Sequence, residues 1–290
     1  MIRRGVGVQG FVSAGVVPYV GLLDTYTNAA AAYSVRKLRD AYAGSAIRVR
    51  RSSDNTEQDI GFDGNGNLNE SALTTFVGAN NGFVTTFYDQ SGNSRNATQT
   101  TAANQPQIVS SGSVILENGK PSLQFDGSND FFNTGNKLLQ LNTTVAAAFD
   151  FTRENVSGTL IGQWSSNTTG RTLLTTNQNS QGVAQINILR YFNSTATVNN
   201  DIVAPSGMNL IFWNIATGSN NYQVFNNGNN EYNTTITSIA TNVNTAIGVL
   251  SEATTSVFFD GVLSELIFWG SIQSSRTGIE TNINTYYGIY

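Results

Sequence analysis

From residue 106 onward the chain repeats one pattern: a short run rich in Val, Ile, Phe, Thr or Trp, then a turn of Gly, Asn, Ser or Asp. The runs fall at 113–116, 122–125, 143–151, 159–164, 184–192, 210–216, 222–225, 246–250, 256–259 and 262–269. Strand signals this short and this frequent predict an all-β sandwich or barrel. Composition agrees. Charged residues are 12% of the chain, and its polarity comes from Asn, Thr, Ser, Gln and 28 Gly. Asn and Gly tolerate positive φ in turns, and Thr suits a pleated surface.

The first hundred residues read differently. Ala31, Val35, Leu38 and Tyr42 recur at helical spacing before Gly44, which predicts a short N-terminal helix over 28–43. Residues 45–51 alternate, with Ile47 and Val49 opposite Arg48 and Arg50, as a half-buried strand does. Asp63 to Asn67 is a turn, 71–77 a short helix capped by Asn69, and 82–88 a strand. At the far end Ile279, Ile283 and Tyr286 share a face of a C-terminal helix stopped by Gly288. No linker or internal repeat divides 28–290, so those residues form a single expected domain. Residues 1–27 are apolar and Gly-interrupted, and are expected to form an arm lying on this domain or on a partner. Residues 1–51 carry a net +6 and the remainder −10, within a total of −4. That split suits docking of the N-terminal part on an acidic neighbour, or local ion pairing.

The chain has no His and no Cys. This excludes imidazole bases, Ser-His-Asp chemistry, disulfides and the usual zinc, copper and iron sites. No cofactor and no metal is expected. Asp63, Asn65 and Asn67 have the opening spacing of a calcium loop, but Leu68 and Thr74 stand where Gly and Glu are required, so a Gly/Asn turn is the better reading. No run is long and apolar enough to span a bilayer, and no phosphate loop or basic-aromatic strip points to nucleic acid. Trp164, Trp213 and Trp269 are either sugar platforms or core residues, and core packing is expected for at least two. The sequons at Asn69, Asn96 and Asn142 follow from composition.

Three segments resemble the start of the arabinofuranosidase B catalytic domain: YSVRKLRDAY (33–42), IRVRRSSD (47–54) and FVTTFYDQSGN (83–93). The second half is similar to the concanavalin/laminin-G-like jelly roll, in YQVFNNG (222–228) and FDGVLSELIFW (259–269). The string NATQTTAANQPQIV (96–109) resembles proteins of tailed bacteriophages. The resemblance implies a jelly-roll sandwich and, in the enzymes, two carboxylates: a nucleophile Glu on a mid-chain strand and an acid/base Asp in a Gly-rich loop. Those places here are Gln185 and the 248–254 loop, whose one carboxylate is Glu252. The adjacent Cys pair that lines the enzymes' sugar pocket is also absent.

These departures lead to the expectation of a non-enzyme without catalytic residues. It would be a virion structural, capsid-decoration or tail-associated protein, assembling with other virion proteins and with itself through its arm. A host-glycan-binding module is the alternative, and an arabinofuranosidase-like glycoside hydrolase the second alternative. Asp89, Gln90, Ser91 and Asn93 are expected to satisfy backbone groups around a tight turn, and Asp54 to pair with a nearby Arg.

Overall fold

The computed structural model describes residues 19–152, 157–166, 170–178, 184–193, 200–218, 221–236, 239, 243–253 and 255–290. Its axis is the Asp260–Trp269 strand. The strand's residues Leu263–Trp269 are all buried, with Ser264 and Glu265 as polar members of an otherwise apolar stretch. Thr143–Phe151 pairs along one edge of it, followed outward by Asn209–Ile215, Tyr222–Asn226 and Asn229–Thr234. Along the other edge, Ala29–Ser34 takes the C-terminal half and Leu123–Asp126 the N-terminal half.

A second succession of strands forms the facing layer. Glu57–Ile60, Ile47–Arg51, Gly82–Phe87, Ala97–Thr98, Phe132–Asn133, Ala246–Ile247, Gly158–Ser166, Gly170–Gln178, Ala184–Asn193 and Asn200–Val203 pair in that order. Gln107–Ser110 joins the two layers, pairing with Leu123–Asp126 on one side and Gly82–Phe87 on the other. All of these pairings are antiparallel, so the chain is an all-β, jelly-roll-like sandwich. A row of rings crosses its interior from Tyr33 to Phe87, Phe132, Phe125, Phe259 and Phe149, with centroids 5.6–6.4 Å apart. Trp213 and Trp269 are wholly buried in the core, as expected, while Trp164 is half-buried.

Three helices complete the described residues: α1 (Leu22–Thr25), α2 (Glu70–Val77) and α3 (Arg276–Tyr287). The Asn69 side chain accepts the Ala72 N–H at 3.0 Å, as its capping position predicts. Gly288 closes α3 in the left-handed conformation at φ 63°. Ile279, Ile283 and Tyr287 form the buried face of α3, while Tyr286 is only half-buried.

The helix expected over 28–43 is absent. Residues Ala29–Ser34 are a strand, and 35–43 are irregular. A short, wholly apolar run satisfies helical and buried-strand patterns equally. Here the open edge of the central strand decides, because it offers Ala29–Ser34 a full ladder. Residues 256–259 are also outside any named strand. Of the expected N-terminal arm, residues 1–18 lie outside the described residues. No described helix is long and apolar enough to cross a membrane.

Candidate active site

Among the described residues the strand Ala29–Ser34 has one neighbouring strand, and side chains of the 88–95 turn serve its other edge. Asp89 Oδ1 accepts the Ala32 and Ser91 N–H groups at 2.9 and 2.8 Å, and its Oδ2 accepts the Ser91 hydroxyl and the Arg95 N–H at 2.8 and 3.0 Å. Gln90 donates to the carbonyls of Ser34 and Arg36 and accepts from Leu38 N–H. Asn93 donates to the carbonyls of Ala29 and Ala30. The motif is therefore a clamp on the sheet edge, as expected. Asp54 receives Arg51 through two nitrogens at 2.6 and 3.1 Å, and these bonds, with those from Thr56, hold its carboxyl far below the usual range. Asp63 is filled by the N–H groups of Asn65 and Asn67 at 2.9 and 2.8 Å, the Gly/Asn turn in place of a calcium loop. Among the described residues no three His, Cys, Asp or Glu side chains converge to hold a metal ion.

Gln185 lies on the Ala184–Asn193 strand, and its side chain is outside the described residues. Glu252 is half-buried and ties two loops together. Its Oε1 accepts Gly135 N–H at 2.7 Å and its Oε2 accepts the Asn244 amide at 2.9 Å. Next to it Thr245 donates to Gln163 Oε1 at 2.8 Å, and Thr134 donates to the Thr245 carbonyl at 2.6 Å. Gly162 lies against the carbonyls of Val249 and Leu250, where a Cβ would stand 2.2 Å away, so only glycine lets this loop seat on the sheet.

Other carboxylates lie near the N-terminal end of the central strand. Alternation sends Phe125, Phe151 and Leu263 inward and Gln124, Asp126, Asp150, Asp260 and Val262 outward. In register, Val262 lies between Gln124 and Asp150, while Asp260 faces Asp126. Asp150 and Asp260 are thus diagonal neighbours on adjacent strands, a relation that spans roughly 7–8 Å between backbones. Gly261 makes this possible, because a Cβ there would stand 2.3 Å from the Asp150 carbonyl. Together with Glu117 the two aspartates line an open groove of about 330 Å³, within the size range of small-ligand sites. Asp260 Oδ1 accepts the Thr152 hydroxyl at 2.8 Å, and Asp150 Oδ1 accepts the Phe151 N–H at 2.8 Å.

Behind the groove, Asp130 is 6% exposed and accepts the Asp126 N–H at 3.1 Å. Burial, then the charge of Asp126, push its carboxyl up to about 7, against the pull of that hydrogen bond. Sequence reasoning missed the groove because 117, 150 and 260 are far apart in the chain. The available signal was local: Asp150 interrupts FDF and Asp260 interrupts FFDG, each a polar residue at the outward phase of an aromatic strand.

The family model described as "Alpha-L-arabinofuranosidase B, catalytic" matches residues 23–120. An arabinofuranosidase solved with arabinofuranosyl-α-1,2-xylobiose superposes with a TM-score of 0.70 at 16% identity, covering 91% of this chain and 64% of that one. A Glu-to-Gln variant of a GH54 α-L-arabinofuranosidase, soaked with 4-nitrophenyl α-L-arabinofuranoside, gives 0.71 at 16% identity, covering 91% and 65%. The chain thus spans less than two thirds of the length of these structures. No curated protein sequence matches it.

These comparisons overturn the expectation of a non-catalytic virion component. The matching family model and the structures that superpose over 91% of the chain are arabinofuranosidases. The expectation rested on Gln185, the 248–254 loop, the missing Cys pair, the apolar arm, the charge split and the phage-like string. It took no account of carboxylates that only the fold brings together.

Proposed function

We propose that the chain is a glycoside hydrolase domain of arabinofuranosidase type, and that the groove between Asp150 and Asp260 performs the cleavage. The convergence of Glu117, Asp150 and Asp260 on one sugar-sized groove carries this reading. The family model over 23–120 and the arabinofuranosidase-like sandwich support it.

Glycoside hydrolysis needs two carboxyl groups about 5–5.5 Å apart for a covalent intermediate, or about 6.5–9.5 Å for direct attack by water. Diagonal sheet neighbours fall in that region once their side chains lean together or apart. Asp260, which accepts the Thr152 hydroxyl, is assigned as nucleophile or base. Asp150 is the proton donor to the leaving oxygen.

The test is release of nitrophenol from 4-nitrophenyl α-L-arabinofuranoside by the whole chain. Asp150→Asn and Asp260→Asn should each lower kcat at least about a hundredfold, the usual scale of an acid–base contribution. Glu252→Gln should change it little. Loss on Glu252→Gln with both groove variants active would move the chemistry to the 244–252 loop. No turnover by the unaltered chain, with sugar binding retained, would refute hydrolysis.

A further inference from the structure

A second cavity, larger than the carboxylate groove, shares no lining residue with it. It is an open cleft of about 700 Å³ between α1, the 63–67 turn and α3. Three half-buried tyrosines, Tyr19, Tyr26 and Tyr286, stand in its wall, and Thr281 and Thr285 of α3 form its rim.

Arg36 also lines this cleft, although it is only 6% exposed. Its Nε and Nη2 are held by Glu265 at 2.7 and 2.9 Å, and its guanidinium lies 4.9 Å from the Tyr286 ring centre. Nη1 has no hydrogen-bond partner among the described residues, and protein atoms do not seal it off. A buried guanidinium normally has its donors satisfied. Here one donor is left facing the cavity.

We propose that this cleft binds a neutral sugar unit of an oligosaccharide, a second carbohydrate site remote from the carboxylate groove. Glu265 cancels the charge of Arg36, so the cleft has no excess charge to select an anion. What remains is an oriented N–H donor asking for an acceptor oxygen, next to aromatic faces and rimmed by hydroxyls. A sugar ring presents that combination: apolar C–H faces for Tyr19 and Tyr26, and hydroxyl oxygens for Nη1 and the threonines. Burial raises the pKa of the Tyr19 and Tyr286 phenols, so both stay neutral at physiological pH. The inference does not depend on the hydrolase reading.

The experiment is calorimetric titration of the whole chain with xylotetraose and, separately, with arabinotriose. Thr281→Trp and Thr285→Trp, on exposed positions of one α3 face, fill the cleft without touching the core. Each should weaken binding of the accepted sugar at least about tenfold, the scale of blocking a central contact, with thermal unfolding unchanged. Asp150→Asn should leave that binding intact while it abolishes turnover, so the two sites fail separately. Absence of binding by either sugar overturns the proposal, as does binding indifferent to both tryptophans.

Discussion

At the scale of single residues, Asp130 shows how the fold changes chemistry that a sequence only names. An isolated aspartate is charged above about pH 4. Buried behind Asp126, this one holds its proton up to about 7. A folded-state pKa above the unfolded value means that the folded state binds the proton more tightly. The resulting stability is complete below the unfolded pKa of 3.8, and it drains away as pH rises towards 7. Asp130→Asn keeps an acceptor for the Asp126 N–H but cannot ionise. Its unfolding free energy should therefore stay flatter between pH 4 and 7, with the variant gaining on the parent as pH rises. Denaturant unfolding at several pH values measures this, and parallel curves for the two proteins would show that Asp130 does not carry the titration.

At the scale of elements, the DQSGN turn and the Ala29–Ser34 strand form one unit. Among the described residues the strand has a second strand on one side, and Asp89, Gln90 and Asn93 substitute side-chain groups for a ladder on the other. Buried backbone groups require partners, and leaving them unpaired costs about 1–3 kcal/mol each. Asp89→Ala removes the acceptor of four donors, some of which water can reach. A loss of about 3 kcal/mol is expected, with early hydrogen exchange at Ala32. A loss below about 1 kcal/mol would mean that the clamp is decorative rather than structural. The same unit carries Arg36 to Glu265, which also accepts the Ser34 hydroxyl at 2.8 Å. Burial alone would lower the Arg36 pKa, and the charge and hydrogen bonds of Glu265 more than reverse this. This segment resembles the arabinofuranosidase start through turn and clamp residues, so its likeness reports shared architecture rather than shared catalytic groups.

At the scale of the whole molecule, the two layers share one aromatic row. Phe125 lies at its centre, against Phe132 of the facing layer and Phe259. Phe125→Ala should cost about 3–5 kcal/mol, the range for deleting a buried ring. Because the row bridges both layers, the loss should appear in one cooperative transition seen equally by tryptophan fluorescence and far-ultraviolet dichroism. Two separated transitions would show that the layers melt independently. The carboxylate groove and the tyrosine cleft are both anchored on the central strand, the first through Asp260–Val262 and the second through the Arg36–Glu265 pair. Their relative geometry therefore depends on that strand staying intact.

Turn chemistry and strand patterning are local, so the sequence alone determined the all-β class, the caps at Asn69 and Gly288, the structural role of Asp89 to Asn93 and the burial of at least two of the three tryptophans. Each follows from a residue and its near neighbours. Local pattern could not separate helix from strand at Ala29–Ser34, since both bury an apolar run and only the open edge of a distant strand chose between them. Nor could it bring together Asp150 and Asp260, because antiparallel register, not chain spacing, makes those two neighbours. The functional expectation failed at the same point. It judged chemistry position by position, whereas a catalytic pair is a property of the surface on which distant segments meet.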